Sequence, residues 1–261
     1  MKFCEIFTSI QGEGIYSGMP SIFARVTGCN LRCMFAGGSF CDTAYTSYNP
    51  EEPKLSEDDL FKMMDEHPNV RHIVFTGGEP MMYKSALEEV VQKIYDKDDR
   101  YIITIETNGT FAPLGVPIDL YSISPKLSTS VPKQPFNVCY EGKVYSFDND
   151  DIKNFNEKRR RFLDNIPTIV SGGWGQIQLK FVYSNEESLE EIKDIISQLN
   201  EKICQCCDDI DMNNYVLLMP EGQFEHQLKE KREEVVSKCV EYGWQYTDRL
   251  QIMIWGSKRN V

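Results

Sequence analysis

The chain has no apolar run approaching the ~20 residues needed to cross a bilayer, and no internal repeat of fixed period. Its N-terminus lacks a signal-peptide pattern, which points to a cytoplasmic protein without a membrane partner. It is also short of positive charge. Against 40 Asp and Glu stand 28 Lys and Arg, for a formal charge of -12 and a pI near 4.8. Phosphate backbones demand a basic footprint, so the charge argues against sequence-independent binding to nucleic acid. The basic run Lys158-Arg159-Arg160-Arg161 reads as one solvated helix face. At 261 residues the chain is long enough for a single substantial core.

What the chain does have is cysteine, nine in all, in a sequence with no secretory signal. In a reducing compartment clustered cysteines are more often metal-binding or catalytic than disulfide-linked. Three of them, Cys29, Cys33 and Cys41, fall in the stretch Arg25 to Thr43 with spacing C-x3-C-x7-C, on a loop that leaves an apolar strand, Ser21 to Val26. A closed zinc site wants four protein ligands and usually C-x2-C pairs. A 4Fe-4S cluster held by three cysteines keeps one iron open for chemistry. Gly28 and the pair Gly37-Gly38 supply the backbone freedom that a loop around a cluster requires. The rival reading is three small, buried, unligated side chains. A second group, Cys204-Gln205-Cys206-Cys207, has no matching Cys or His pair at ligand spacing and reads as fortuitous clustering at a helix end.

Strand and helix signals alternate along the chain, which predicts an α/β architecture of mostly parallel strands. Residues 2 to 8 read as a strand leading into the glycine-punctuated turn Ser9-Ile10-Gln11-Gly12-Glu13-Gly14. A helix begins at Ser56 with Asp59 in a capping-box arrangement. Three successive strands then end in polar clusters: 72 to 75 in Thr76-Gly77-Gly78-Glu79-Pro80, 101 to 105 in Glu106-Thr107-Asn108-Gly109, and 118 to 123 in Ser124-Pro125-Lys126. Parallel α/β proteins put their ligands at such carboxyl ends. Residues 127 to 175 break the rhythm and read as a surface excursion with one charged helix, about 151 to 164. Alternation resumes with a strand over 176 to 183 carrying Gln178 and Lys180, and a helix over 186 to 203. A strand over 215 to 219 ends in Met219-Pro220-Glu221-Gly222, followed by a helix over 223 to 242 and an apolar segment from Leu250 to Trp255.

The cysteine loop resembles the signature of the radical S-adenosylmethionine superfamily, C-x3-C-x-aromatic-C, with Phe40 before Cys41 and about five extra residues, Met34 to Gly38, in the second spacer. Because the aromatic-Cys ending is kept, the extra residues are expected to bulge without moving the ligand. Thr76-Gly77-Gly78-Glu79-Pro80 resembles the GGEP motif that receives the methionyl amino group of the cofactor. A narrower resemblance is to the 7-carboxy-7-deazaguanine synthase (QueE) family. It rests on Glu5 to Gly14, Arg25, Cys41-Asp42-Thr43, Ser124-Pro125-Lys126 and Trp255-Gly256-Ser257-Lys258-Arg259. Only 127 to 175 stands outside it, as an insertion in one domain spanning 1 to 261.

The resemblance implies a partial (β/α) barrel of the radical SAM type and a 4Fe-4S cluster on Cys29, Cys33 and Cys41. The open iron would chelate S-adenosylmethionine, and one electron would cleave the sulfonium to a 5′-deoxyadenosyl radical. Family members use it to rearrange 6-carboxy-5,6,7,8-tetrahydropterin with ring contraction and loss of ammonia. A flavodoxin or ferredoxin as electron donor and a homodimer are implied as well. By the same resemblance Phe40, Gly78, Glu79, Glu106, Ser124, Pro125, Lys126 and Glu221 bind the cofactor, and Thr43 holds Mg2+ with Asp42 behind it. Substrate contacts fall to Ile10, Gln11, Gly12, Glu13, Arg25, Thr76 and Gln251, the last standing where relatives often carry histidine. Arg25 suits the substrate carboxylate, because guanidinium binds carboxylate with paired hydrogen bonds. Valine at Gly78 is expected to weaken cofactor binding and spare the cluster. The rival functions are a glycyl-radical-enzyme activase and a non-catalytic iron–sulfur protein of the same fold.

Overall fold

The apolar runs form eight strands of one sheet. In chain order they are β1 (Glu5–Ile10), β2 (Pro20–Val26), β3 (His72–Gly77), β4 (Ile102–Thr107), β5 (Leu120–Ile123), β6 (Gln176–Tyr183), β7 (Val216–Pro220) and β8 (Gln245–Tyr246). The helices are α1 (Glu57–Glu66), α2 (Lys84–Lys97), α3 (Asn149–Arg159), α4 (Phe162–Gly172), α5 (Glu186–Ile203), α6 (Glu225–Tyr242) and α7 (Leu250–Trp255). The computed structural model describes residues 1–35, 39–173, 175–204 and 210–261. Gly37-Gly38 and Cys206-Cys207 therefore lie outside the described residues, while Cys204 is exposed at the end of α5.

Spatial order follows chain order from β1 at one edge to β8 at the other. β1 runs antiparallel to β2, and all other neighbours are parallel. Helices cover the outer face, so β3, β5 and β7 are buried almost throughout and read as near-continuous apolar runs. The registers pair Val26 with Gly77 and Thr107 with Ile123, which aligns the carboxyl ends of the parallel strands on one rim.

The sheet is open, yet it curves. Gln11, just past β1, donates to Glu106 on β4 at 3.1 Å, and Glu13 accepts from Lys180 on β6. In a flat sheet with strands ~4.8 Å apart, β1 and β6 would stand roughly 24 Å from each other. Only a wrapped sheet, a partial barrel, lets one turn touch both. No helix among the described residues is long and apolar enough to cross a membrane.

The capping box at α1 is present, with Ser56 N donating to Asp59 Oδ2 at 2.8 Å. The stretch 127 to 175 departs from its reading as a surface excursion with one helix. It holds a hairpin, Phe136–Tyr140 paired with Lys143–Phe147, and two helices. Phe162, Leu163, Ile166 and Ile169 of α4 belong to the main core, where the helix packs on α5. Pro167 inside α4 hid it, because proline reads as a helix breaker. The basic run is not uniformly solvated either. Arg159 is 5% exposed and donates to Glu191 on α5 at 2.6 Å and to the carbonyl of Lys126 at 2.9 Å.

Candidate active site

The cysteine loop leaves β2 through Gly28, whose N–H donates to Thr46 O at 2.7 Å. Asn30 fastens the loop to the end of β4: it donates to Thr110 Oγ1 at 2.8 Å and accepts from Asn108 at 2.9 Å. Tyr48 donates toward the carbonyls of Arg32 and Cys33, at 3.0 and 3.1 Å. The long second spacer turns out to be a hairpin stem, with Met34 opposite Phe40 and Phe35 opposite Ser39. Continuing that register by one residue sets Cys33 against Cys41. The stem thus keeps the long spacer from separating the two thiols.

All three thiols line one cavity of about 870 Å³. Burial pushes Cys29 up to about 12 and raises Cys33 and Cys41 as well, and each thiol also feels at least one other member of the set or a nearby carboxylate. Such thiols ionise when a metal takes the charge. Their back is closed by a small apolar cluster of Leu31, Cys33, Val131 and Phe155, with Ile152 against it. The hairpin adds Tyr140, whose ring meets that of Phe40 edge-on at 5.2 Å. Helix α3 and the Phe136–Phe147 hairpin are therefore the outer wall of the cysteine loop.

Gly77 and Gly78 pass directly under this loop. A Cβ on Gly78 would lie 2.0 Å from Gly28 O and 3.0 Å from Cys29 Cβ. Glu79 is turned away from the cavity and fully buried: it accepts from Met81 N at 3.0 Å, Thr107 Oγ1 at 2.7 Å and Asn108 N at 2.7 Å. Burial raises its carboxyl to about 7, against the pull of those donors. The side chain thus ties β3 to β4 and, through Asn108, to Asn30 in the cysteine loop.

The rest of the lining is largely polar. Glu106 accepts from Gln11 at 3.1 Å and from Thr76 at 2.6 Å. Glu13 accepts from Lys180, from Arg249 at 3.1 Å and from Gln251 at 2.9 Å. Burial alone would raise its pKa, but Lys180 and Arg249 outweigh it and hold the carboxyl well below its usual range. Arg249 also pairs with Asp42, next to Thr43. Arg25 sits 2.8 Å from Glu5 across β1 and β2. Burial disfavours its charge, but Tyr45, Glu5, Glu106 and Asp42 together raise its pKa.

Ile10, Gln11, Gly12, Glu13, Arg25, Phe40, Thr43, Thr76, Gly78, Glu106, Ser124, Lys126, Glu221 and Gln251 all line the cavity with the three cysteines. Glu79 and Pro125 are not on its wall. Lys180 and Arg249 line it too and had no role assigned from sequence. For Lys180 a signal existed, a lysine within the apolar strand Leu179-Lys180-Phe181-Val182. The donor set fits a three-cysteine cluster with an amino-acid cofactor: three convergent thiols, a glycine pair with no room for a side chain, and Ser124 and Lys126 on the same rim, where Lys126 donates to Ser124 Oγ at 2.8 Å.

A model of the radical SAM superfamily matches residues 24–117. The chain is 33% identical over 251 residues to the 7-carboxy-7-deazaguanine synthase of Halobacterium salinarum, covering 96% of this chain and 89% of that protein. Against the 7-carboxy-7-deazaguanine synthase of Rhodopirellula baltica it is 32% identical over 257 residues, 98% and 87% of the two chains. The crystal structure of QueE from Escherichia coli shares the fold, with a TM-score of 0.57 at 20% identity over 95% and 93% of the chains. With the cysteine hairpin, the glycine pair beneath it and the polar groups that share its cavity, these likenesses make the chain a member of the 7-carboxy-7-deazaguanine synthase family of radical SAM enzymes.

Proposed function

We propose that the chain converts 6-carboxy-5,6,7,8-tetrahydropterin to 7-carboxy-7-deazaguanine with loss of ammonia. One observation carries this reading: a single cavity is lined by three thiols and also by an arginine for a carboxylate and a set of hydrogen-bonding groups for a heterocycle edge. Bound in that cavity, the cluster and S-adenosylmethionine supply the electron and the hydrogen-abstracting carbon. The chain's own residues bind, orient and exclude water. Cys29, Cys33 and Cys41 hold the cluster. The backbone of Gly77-Gly78, with Ser124 and Lys126, receives the amino-acid end of the cofactor, while Glu79 holds that backbone in place. Glu13, kept ionised by Lys180 and Arg249, accepts from ring N–H groups, and Gln11, Thr76 and Glu106 form one hydrogen-bonded strip beside it. Anaerobic reconstitution followed by turnover of the carboxypterin tests the reading. No product from a fully loaded protein that still cleaves S-adenosylmethionine would leave only the superfamily assignment.

Arg25 reads the substrate carboxylate. Losing a charge-assisted pair in a partly dry site costs on the order of 1.5–3 kcal/mol, so Arg25→Ala raises the KM for the carboxypterin at least about tenfold. Steady-state kinetics at saturating cofactor checks this, and a normal KM contradicts it. Thr43 Oγ1 offers one hard oxygen on the cavity wall, and Mg2+ would complete its shell with substrate oxygens and water. The neighbouring Asp42 is committed to Arg249. Thr43→Ala is expected to lower turnover and blunt its response to added magnesium, read by titrating the metal at fixed substrate.

The remaining elements of the reading are a single domain with an insertion near 127 to 175, a cytoplasmic location, a flavodoxin-like or ferredoxin-like donor and a homodimer. For the last, Ile15, Met253 and Ile254 are exposed apolar side chains on adjoining segments, joined where Leu250 N donates to Gly12 O at 3.0 Å. Mass measurement by light scattering decides it.

A further inference from the structure

Two guanidinium groups share one buried carboxylate at the edge of the cavity. Glu5 is 6% exposed, and its Oε1 accepts from Arg259 Nε at 2.9 Å and Nη2 at 2.5 Å. Its Oε2 accepts from the hydroxyl of Tyr45 at 3.2 Å. Arg259 is gripped from its other side by Glu51, at 3.0 and 3.1 Å, and its guanidinium carbon stacks 3.6 Å from the centre of the Tyr45 ring. Arg25 stands in a different relation to Glu5. Its Nε lies 2.8 Å from Oε2, yet that buried N–H makes no hydrogen bond. Proximity gives Arg25 a Coulombic neighbour, while the aligned donors belong to Arg259 and Tyr45.

We propose that Arg259 is a positioning residue for substrate recognition: it commits the Glu5 carboxylate to itself and so leaves the guanidinium fork of Arg25 free for the carboxylate of the substrate. The inference rests on the reading of Arg25 given above. A buried carboxylate stripped of its donors takes the nearest cation, because an uncompensated buried charge is costly. Without Arg259, Glu5 turns onto Arg25 and forms the paired contact that geometry now withholds. Glu5, already the Coulombic neighbour of Arg25, then also occupies its hydrogen-bonding fork, and a carboxylated ligand must displace Glu5 to bind. Arg259 therefore acts on affinity for the carboxylate, through Arg25, and not on the chemistry at the cluster.

The test is a KM-against-kcat comparison on the reconstituted holoenzyme, with calorimetric binding of oxidised 6-carboxypterin as an activity-free readout. Arg259→Ala is expected to raise KM and Kd about tenfold, with kcat within about twofold. Arg259→Lys, which keeps a cation beside Glu5, is expected to recover most of the affinity. The decisive variant is Glu5→Gln combined with Arg259→Ala. A neutral amide no longer captures Arg25, so affinity returns to within about threefold of the wild type. A merely structural clamp predicts that the double variant is no better than Arg259→Ala. Unchanged affinity in Arg259→Ala, or no recovery in the double variant, overturns the inference while wild-type turnover keeps the substrate reading intact. A wild type that neither binds nor turns over the carboxypterin overturns both.

Discussion

Cys41→Ala will leave the reconstituted protein without its visible iron–sulfur absorbance and without S-adenosylmethionine cleavage, and Cys29→Ala and Cys33→Ala will do the same. Among the described residues no other cysteine lines the cavity, so none stands ready to replace a lost ligand. Cys4 donates to Arg25 O at 3.3 Å, Cys239 is buried beneath Gln245, and Cys139 and Cys204 are exposed elsewhere. Two remaining thiols, both raised by burial, have no reason to ionise without the metal. The spacing makes Cys41 the sharpest case, since its place depends on the hairpin that pairs Met34 with Phe40. Iron and sulfide content per chain, measured anaerobically, checks the outcome. Full iron content in the Cys41 variant would mean that the cluster is held elsewhere.

Local pattern made the strand ends legible, and distance along the chain made the rest illegible. Glu106, Ser124 and Lys126 follow apolar runs directly, so a common rim could be read from alternation alone. The capping box at Ser56 and Asp59 was legible for the same reason, being a contact over three residues. Nothing local announces that Arg249 reaches Glu13 and Asp42, positions 236 and 207 residues away. That contact exists because the sheet curls and brings its two edges to one turn. The stretch 127 to 175 misled for a different reason. Its charges and its proline advertise surface, whereas Phe155, Phe162 and Ile166 are spaced to serve two separate cores, one under the cysteine loop and one under α5. Glu79 shows the limit of motif transfer: its place in the GGEP segment is local, but the direction of its side chain is set by the backbone of Asn108 on the next strand.

Gly78→Ala will cost the protein most of its iron as well as its affinity for S-adenosylmethionine, which reverses the expectation from sequence that a side chain there spares the cluster. The added Cβ would sit 2.0 Å from Gly28 O, 2.5 Å from Gly28 C and 3.0 Å from Cys29 Cβ. These are backbone and first side-chain atoms, not the far end of a flexible group, so the cysteine loop itself must lift. Two hydrogen bonds lift with it, Gly78 N to Val26 O at 3.2 Å and Glu79 N to Gly28 O at 2.9 Å. Overpacking of this kind costs about 1–3 kcal/mol where neighbours relax, and here relaxation displaces a ligand. Ser124→Ala serves as the contrast, because Ser124 lines the cavity with its N–H bound to Thr107 O and its hydroxyl to Lys126. It should weaken cofactor binding and leave iron content intact. Iron analysis and calorimetry on the two variants, side by side, separate the glycine's packing role from its cofactor role. If Gly78→Ala kept full iron and lost only cofactor affinity, the close approach of the two loops would not govern how the cluster is held.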